Sequence, residues 1–184
     1  MPNSLTISSP RLLLRAFRPT DAGNLHAYLS DARIYQFEPG EPISLEQARK
    51  IAAELANSPD FWAVELRETG RVIGQIYFKH TDPPHLQTWE LGYILNPQYQ
   101  RQGYMTEAVG ALVRQRFSDG DIHRIVAHCN PENVASWKLL EKVGFRREGL
   151  LLQNIYFRKN LQGEPLWTDT FVYALLKNKR GGWR

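Results

Sequence analysis

The 184-residue chain has one cysteine, Cys129. That excludes an internal disulfide and any metal site assembled from several thiolates, and it suits a reducing compartment. Long apolar runs are also missing. No segment approaches the ~20 apolar residues that carry a helix across a bilayer, and the first 17 residues hold no apolar stretch of signal-peptide length. The chain reads as soluble and cytoplasmic, with no membrane partner. Strong charge of one sign is lacking: 23 Lys and Arg face 19 Asp and Glu, a formal charge of +4. Such a balance suits an anionic ligand without requiring one. The pI of about 9.3 and the basic tail at residues 177–184 are the only hints of a nucleic-acid partner. No motif of that kind supports them, and the tail reads as a solvated terminus. The glycine patterns of dinucleotide-binding and Walker-type loops are absent, and no cluster implies a metal. Repeats, low-complexity tracts and linkers are absent too, so residues 1–184 read as one domain, long enough to bury a core unaided.

What is present is an alternation of element types. Residues 11–17 read as a strand. Thr20 is a candidate N-cap for a helix to about Ser30, with Asp21 in its first turn. Ser44 and Gln47 form a capping box ahead of Ala48, Ile51, Ala52 and Leu55, which share one helical face. Residues 61–67 and 72–79 read as a hairpin turning at Gly70. Residues 82–85 form a second turn. Residues 89–95 are apolar on both faces, which places that strand centrally in a sheet. Residues 103–117 repeat apolar positions at helical spacing. A strand at 122–129, a helix at 133–143 stopped by Gly144, and two strands at 145–158 and 166–176 complete the pattern. The sum is an α/β (α+β) domain with a mixed central sheet and helices on its faces.

Two segments carry chemistry. In the first, a buried strand ends at Asn96-Pro97, a polar loop follows, and a helix begins at Gly103. Free N–H groups and the positive dipole end at such a start hold anions, and Arg101 adds a charge suited to phosphate. A plain strand–loop–helix turn would look the same. In the second, Asn133 is an N-cap candidate, and Ser136 lies in the first turn beyond a strand's C-terminal end, where ligands of open α/β sheets gather. Simple capping and solvent exposure are the alternative.

Together the two segments resemble the GNAT superfamily, in its branch of ribosomal-protein alanine and serine acetyltransferases (RimJ/RimL type). Gln100-Arg101-Gln102-Gly103-Tyr104-Met105 matches the family's Q/R-x-x-G-x-G/A loop, with Met105 in the last place, and Thr106-Glu107-Ala108 continues it as in this branch. Asn133-x-x-Ser136, followed by Leu140-Glu141-Lys142-x-Gly144-Phe145-x-x-Glu148-Gly149, matches the second motif. The opening from Ser9 to Arg15 and the closing Trp167-x-Asp169 are also similar, so the resemblance spans nearly the whole chain. It implies a splayed, mostly antiparallel mixed sheet with acetyl-CoA or another acyl-CoA in the V-shaped opening. The pyrophosphate would rest on backbone N–H groups of the Gln100, Arg101, Gln102, Gly103, Tyr104, Met105 and Thr106 loop. The pantetheine arm would pair with Ile94 and Leu95, and Asn133 would contact the arm. A homodimer is compatible with it.

The reaction implied is direct attack of a neutral amine on a thioester. It needs a deprotonated amine, donors for the oxyanion and a proton for the leaving thiolate. Many members place a Tyr at the position held here by Leu140. In the resembled branch Ser136 takes that role, and it is the expected partner of the CoA sulfur. Glu90 is the expected base, directly or through a water, with a cation-paired structural carboxylate as the alternative. His80 and His128 compete because histidine titrates near neutrality. Cys129 is expected to be a small buried apolar residue rather than a nucleophile. Of Phe61, Trp62, Tyr77, Phe78 and Trp89, most are expected in the core and some in the acceptor pocket. Met105 and the loops at 35–42 and 153–162 are expected to shape both that pocket and the choice of acyl chain. The acceptor is expected to be a protein or peptide N-terminal α-amine, with small amines (amino acids, antibiotics, polyamines) as the alternative. A non-catalytic acyl-CoA sensor is the competing class.

Overall fold

The computed structural model describes residues 5–177. The basic tail expected to be solvated therefore falls, beyond Lys177, outside the described residues. The elements in chain order are β1 (Ile7–Ser8), β2 (Leu12–Arg15), α1 (Ala22–Leu29), α2 (Leu45–Ala56), β3 (Phe61–Leu66), β4 (Val72–His80), β5 (Thr88–Leu95), α3 (Tyr104–Ser118), β6 (Arg124–Cys129), α4 (Val134–Val143), β7 (Arg146–Ile155) and β8 (Thr168–Leu176). They build one eight-stranded sheet in the order β1-β2-β3-β4-β5-β6-β8-β7. Every pairing is antiparallel except β5 with β6. The expected mixed, mostly antiparallel sheet is what forms, with β5 in its middle.

Two cores lie on its two faces. One joins Leu12, Leu14, Trp62 and Ile76 to the apolar side of α3 and to Leu140 of α4. The other joins Ala63 and Val72 to Leu25, Tyr28, Ala48 and Ala52 of α1 and α2. Successive residues of β3 serve opposite cores, as the two-residue strand period requires. Ser44 and Gln47 form the expected capping box at α2.

Thr20 does not cap α1. Residues Pro19–Asp21 form a short 3-10 turn, and the Arg18 N–H donates to the Asp21 carboxylate at 2.7 Å. Asp21 also receives two bonds from the Arg15 guanidinium, at 2.8 and 2.9 Å, and Arg15 donates to Glu65 at 2.6 Å. Burial acts to lower the Arg15 pKa, but the bonds to the two carboxylates reverse it and leave it raised. A buried guanidinium holds its charge only with such partners, so Asp21 is a tertiary anchor rather than a first-turn charge.

Candidate active site

The site arises where β5 loses a neighbour. On one side β5 pairs with β4 along its length, from His80 opposite Trp89 to Gly74 opposite Leu95. On the other it pairs with β6 only from Thr88 to Leu91. Beyond Ala127, β6 stays with β8, so the two strands part. The edge of β5 from Gly92 to Leu95, including Ile94 and Leu95, therefore faces a wedge instead of a strand.

The loop after β5 is shaped at its backbone. The Asn96 side chain accepts from the Gln98 N–H at 3.0 Å, and the Asn96 N–H donates to the Ile73 carbonyl at 2.8 Å. Arg101 and Gly103 both take left-handed backbone angles, φ 62 and 78. Gly103 is the residue ahead of α3 and offers no side chain to cap it. The first N–H groups of α3 thus point out of the helix start, where its dipole is positive. The Arg101, Gln102 and Gly103 positions are exposed, Tyr104 and Thr106 are half-buried, and Met105 lies in the core. Met105 can thus serve a ligand only through its backbone. The Gln102 side chain turns back to the Gln98 carbonyl at 3.1 Å, and that of Gln100 reaches toward the Leu95 carbonyl at 3.5 Å.

A brace holds this loop, and sequence reading gave it no role. Glu107 accepts from the Ser9 hydroxyl at 2.7 Å, the Arg11 N–H at 2.9 Å and the Arg11 guanidinium at 2.6 Å. Arg11 also donates to the Gln102 carbonyl at 3.1 Å and lies over the Tyr104 ring at 4.3 Å. Burial acts to raise the Glu107 pKa, but the Arg11 and Ser9 bonds outweigh it, and the net shift is downward. The Ser9-Pro10-Arg11 opening is thus the far half of the loop's support.

Across the wedge, α4 begins as expected. The Asn133 side chain accepts from the Ser136 N–H at 3.2 Å, and Gly144 ends the helix at φ 100. The Ser136 hydroxyl lies 2.9 Å from the Tyr93 hydroxyl, which also donates to the Ser136 carbonyl at 3.1 Å. Tyr93 has one proton to give. When the Ser136 hydroxyl oxygen takes it, the Ser136 O–H is free to turn into the wedge. Burial holds the Tyr93 pKa well above its usual value, so the phenol stays protonated. Leu140 is buried. Cys129 sits beside Ser136, and burial pushes its thiol up to about 11. A protonated, buried thiol is a poor nucleophile.

The wedge opens into a cavity of about 420 Å³. Asn133, Ser136, Tyr93, Glu90 and His128 all line it, so the structure brings the two sequence segments to one place. Of the two loops expected to shape the acceptor pocket, Phe37 and Glu38 come from one, and Asn154, Ile155 and Phe157 from the other, to line this cavity. Of Phe61, Trp62, Tyr77, Phe78 and Trp89, Tyr77 lines the wall, while Trp62 and Phe78 are core. The Glu90 carboxylate lies 3.2 Å from His128 Nδ1. That bond, above all, holds the Glu90 pKa below its usual value despite partial burial. His80 packs edge-on against Trp89 at 5.2 Å, away from the lining. Asp169 lines the cavity too, and it accepts the Gln153 N–H at 2.8 Å where β7 bulges at a left-handed residue. That Tyr93, Glu38 and Asp169 share one cavity with Ser136 escaped sequence reading, because nothing in their spacing says they face it. Glu148, in the second motif, instead pairs with Arg124 and Arg146, which hold its carboxylate down to about 2.

Residues 11–146 match the acetyltransferase (GNAT) domain family. The chain belongs to that family. An uncharacterised N-acetyltransferase of Bacillus subtilis (strain 168), YnaD, is 32% identical over 174 residues, covering 94% of this chain and 98% of the relative. Among solved structures, a GNAT-family acetyltransferase from Bacillus anthracis is 31% identical, with a TM-score of 0.85 over 94% of this chain and 99% of that one. RimL, described as a ribosomal α-N-protein acetyltransferase in complex with coenzyme A, is 25% identical, with a TM-score of 0.78 over 94% and 98%. A GNAT acetyltransferase is a transferase, and the wedge is its candidate active site. Among the described residues no group of three or more His, Cys, Asp or Glu side chains could hold a metal, and no helix is long and apolar enough to cross a membrane.

Proposed function

We propose that this GNAT enzyme transfers an acetyl group from acetyl-CoA to the N-terminal α-amine of a protein or peptide. The observation that carries the reading is the parting of β5 and β6 directly ahead of an uncapped helix start. A linear donor with amide groups in its arm finds there the unpaired edge at Ile94 and Leu95. Its phosphates find the N–H groups and charge of the loop from Gln100 to Thr106. Asn133 lies where the arm would pass toward Ser136.

In this reading Ser136 serves the sulfur. The amine nitrogen attacks the thioester carbonyl, the C–S bond breaks, and the Ser136 hydroxyl, which Tyr93 orients, gives its proton to the leaving thiolate and regains one from solvent through the open wedge. The amine's proton leaves to the Glu90–His128 pair, with Glu90 fixing the imidazole and offsetting its charge. At pH 7, deprotonating an α-amine costs roughly 1.4 kcal/mol, and a lysine more than about 4. One solvent-accessible pair is a modest base, so the α-amine is the better match. The RimL likeness points the same way.

Thiol release from acetyl-CoA tests the assignment, with free-N-terminus peptides in one pool and small amines, polyamines and aminoglycosides in another. Release with the peptides alone supports it. Release with the small amines alone replaces it, and silence in both with tight CoA binding favours a sensor. Ser136→Ala should lower kcat on the order of 10²-fold while leaving CoA affinity intact. Undiminished turnover would remove Ser136 from the mechanism. Glu90→Gln should lower kcat, because the imidazole loses the carboxylate that fixes it. An undiminished kcat argues against the pair.

A further inference from the structure

Among the described residues, Glu38 is a carboxylate without a partner. It sits between α1 and α2 and lines the same cavity as Ser136 and Glu90. It is largely shielded from solvent, yet it makes no hydrogen bond or ion pair among the described residues. Burial is the cause of its raised pKa, about 7. Buried charges are ordinarily paired, and every other carboxylate described in the wedge has its partner: Glu90 has His128, and Asp169 has the Gln153 N–H.

The segment that carries Glu38 is pinned. Tyr35 is buried and donates its hydroxyl to the Leu29 carbonyl at 2.8 Å. The Ile43 N–H donates to the same carbonyl at 3.1 Å. Gly40, at φ 100, has the Tyr35 ring 3.3 Å from where a Cβ would stand. The Arg158 guanidinium bonds to the Tyr35 carbonyl and not to Glu38. The groups that share the cavity with Glu38 are Tyr77 of β4, Glu90 and Tyr93 of β5, His128 and Cys129 of β6, and Asp169 of β8. The charge of Glu38 is felt at the Tyr93 hydroxyl, which is the group that touches Ser136. An unpaired carboxylate is thus held rigidly within electrostatic reach of the reacting end.

We propose that Glu38 is the acceptor-binding carboxylate, the group that receives the ammonium of the incoming amine and holds it beside Ser136 before deprotonation. The partner it lacks is the substrate's own cation. The proposal rests on the transferase reading of the same wedge and names what that reading leaves open, the group that recognises a charged acceptor. It requires a cationic head group, so an acceptor whose amine is already blocked gains nothing from Glu38. Because the bound cation favours the ionised carboxylate, acceptor affinity should rise with pH as Glu38 ionises.

The test is calorimetric titration of CoA-loaded enzyme with an alanine-initiated hexapeptide and with its N-acetylated twin, at pH 6 and pH 8. Wild type, Glu38→Gln and Glu38→Asp are compared, and KM and kcat are read in parallel. Glu38→Gln should weaken the free peptide about 10-fold or more at pH 8 and little at pH 6. Glu38→Asp should recover part of the loss. Binding of the acetylated twin and of CoA should be unchanged, and the loss should appear in KM for the free peptide. Equal binding of the free peptide by wild type and Glu38→Gln at pH 8 overturns the proposal while leaving the transferase reading intact. A fall in kcat at unchanged KM also overturns it. A wild-type enzyme that binds neither the peptide nor a simple primary alkylamine overturns both readings.

Discussion

At the scale of single residues, the site is a set of titratable groups held in different states by their surroundings. Glu90 and Glu38 line one cavity, yet a bond from His128 lowers one pKa and burial raises the other to about 7. The raised value carries a stability cost. A carboxylic acid whose folded pKa exceeds its unfolded value favours the fold below the unfolded pKa, and that contribution is lost as pH rises through the folded one. For Glu38 the window runs from 4.5 to about 7. The full cost above it is on the order of 3 kcal/mol, at 1.36 kcal/mol per unit. Glu38→Gln should therefore be more stable than wild type at pH 8, with the advantage fading toward pH 5. Urea midpoints across that range would show it. An equal midpoint at pH 8 would mean that Glu38 finds a cation in solution. A carboxylate kept at such a cost is consistent with a binding role, since active groups are often held against stability.

At the scale of elements, β4 and β5 form the rigid wall from which the wedge opens. Gly74 makes this possible: a Cβ there would stand 2.5 Å from the Ile94 carbonyl oxygen. That oxygen is backbone and cannot swing away. Gly74→Ala should push β5 outward, cost about 1–3 kcal/mol of stability and weaken CoA more than a surface variant of equal stability. Thermal melts and CoA titration on the same sample separate the two effects, and an unchanged CoA affinity would detach Gly74 from the cradle. The brace formed by Ser9, Arg11 and Glu107 works on the other side of the loop. Arg11→Ala removes the guanidinium bonds to Glu107 and to the Gln102 carbonyl while leaving the α3 core untouched. It should raise the Kd for CoA with little change in melting temperature, because its exposed ion pair contributes no more than about 1 kcal/mol. A large loss of stability with unaltered CoA affinity would make the brace purely structural.

At the scale of the whole molecule, a donor lying between β5 and β6 would tie together two halves of the sheet that their own hydrogen bonds join only as far as Leu91. Ligand that binds only the folded state stabilises it by about 2.7 kcal/mol at 100 times its Kd. For a chain of this size that is a rise in melting temperature of roughly 5–10 °C. CoA at that excess should give it, and inorganic phosphate at the same concentration should give much less. Equal shifts from both would mean that the loop is a bare anion site.

The sequence by itself determined the alternation of elements, the capping box at Ser44, the stop at Gly144, the mixed sheet and the two segments that carry the family's chemistry. These are short-range properties. Periodicity, caps and glycine positions act within a few residues, so they can be read along the chain. Thr20 misled because a local cap competed with a tertiary ion pair: Asp21 turned inward to Arg15. The tertiary structure alone decided that β6 leaves β5 after Ala127, that Tyr93 meets Ser136 across 43 positions, that Arg11 braces a loop 91 residues away, and that Glu38 lines the cavity of Glu90 with no partner among the described residues. Burial and partnership are properties of the packed whole, and they fix the charge state of a carboxylate in ways that residue type and spacing do not record.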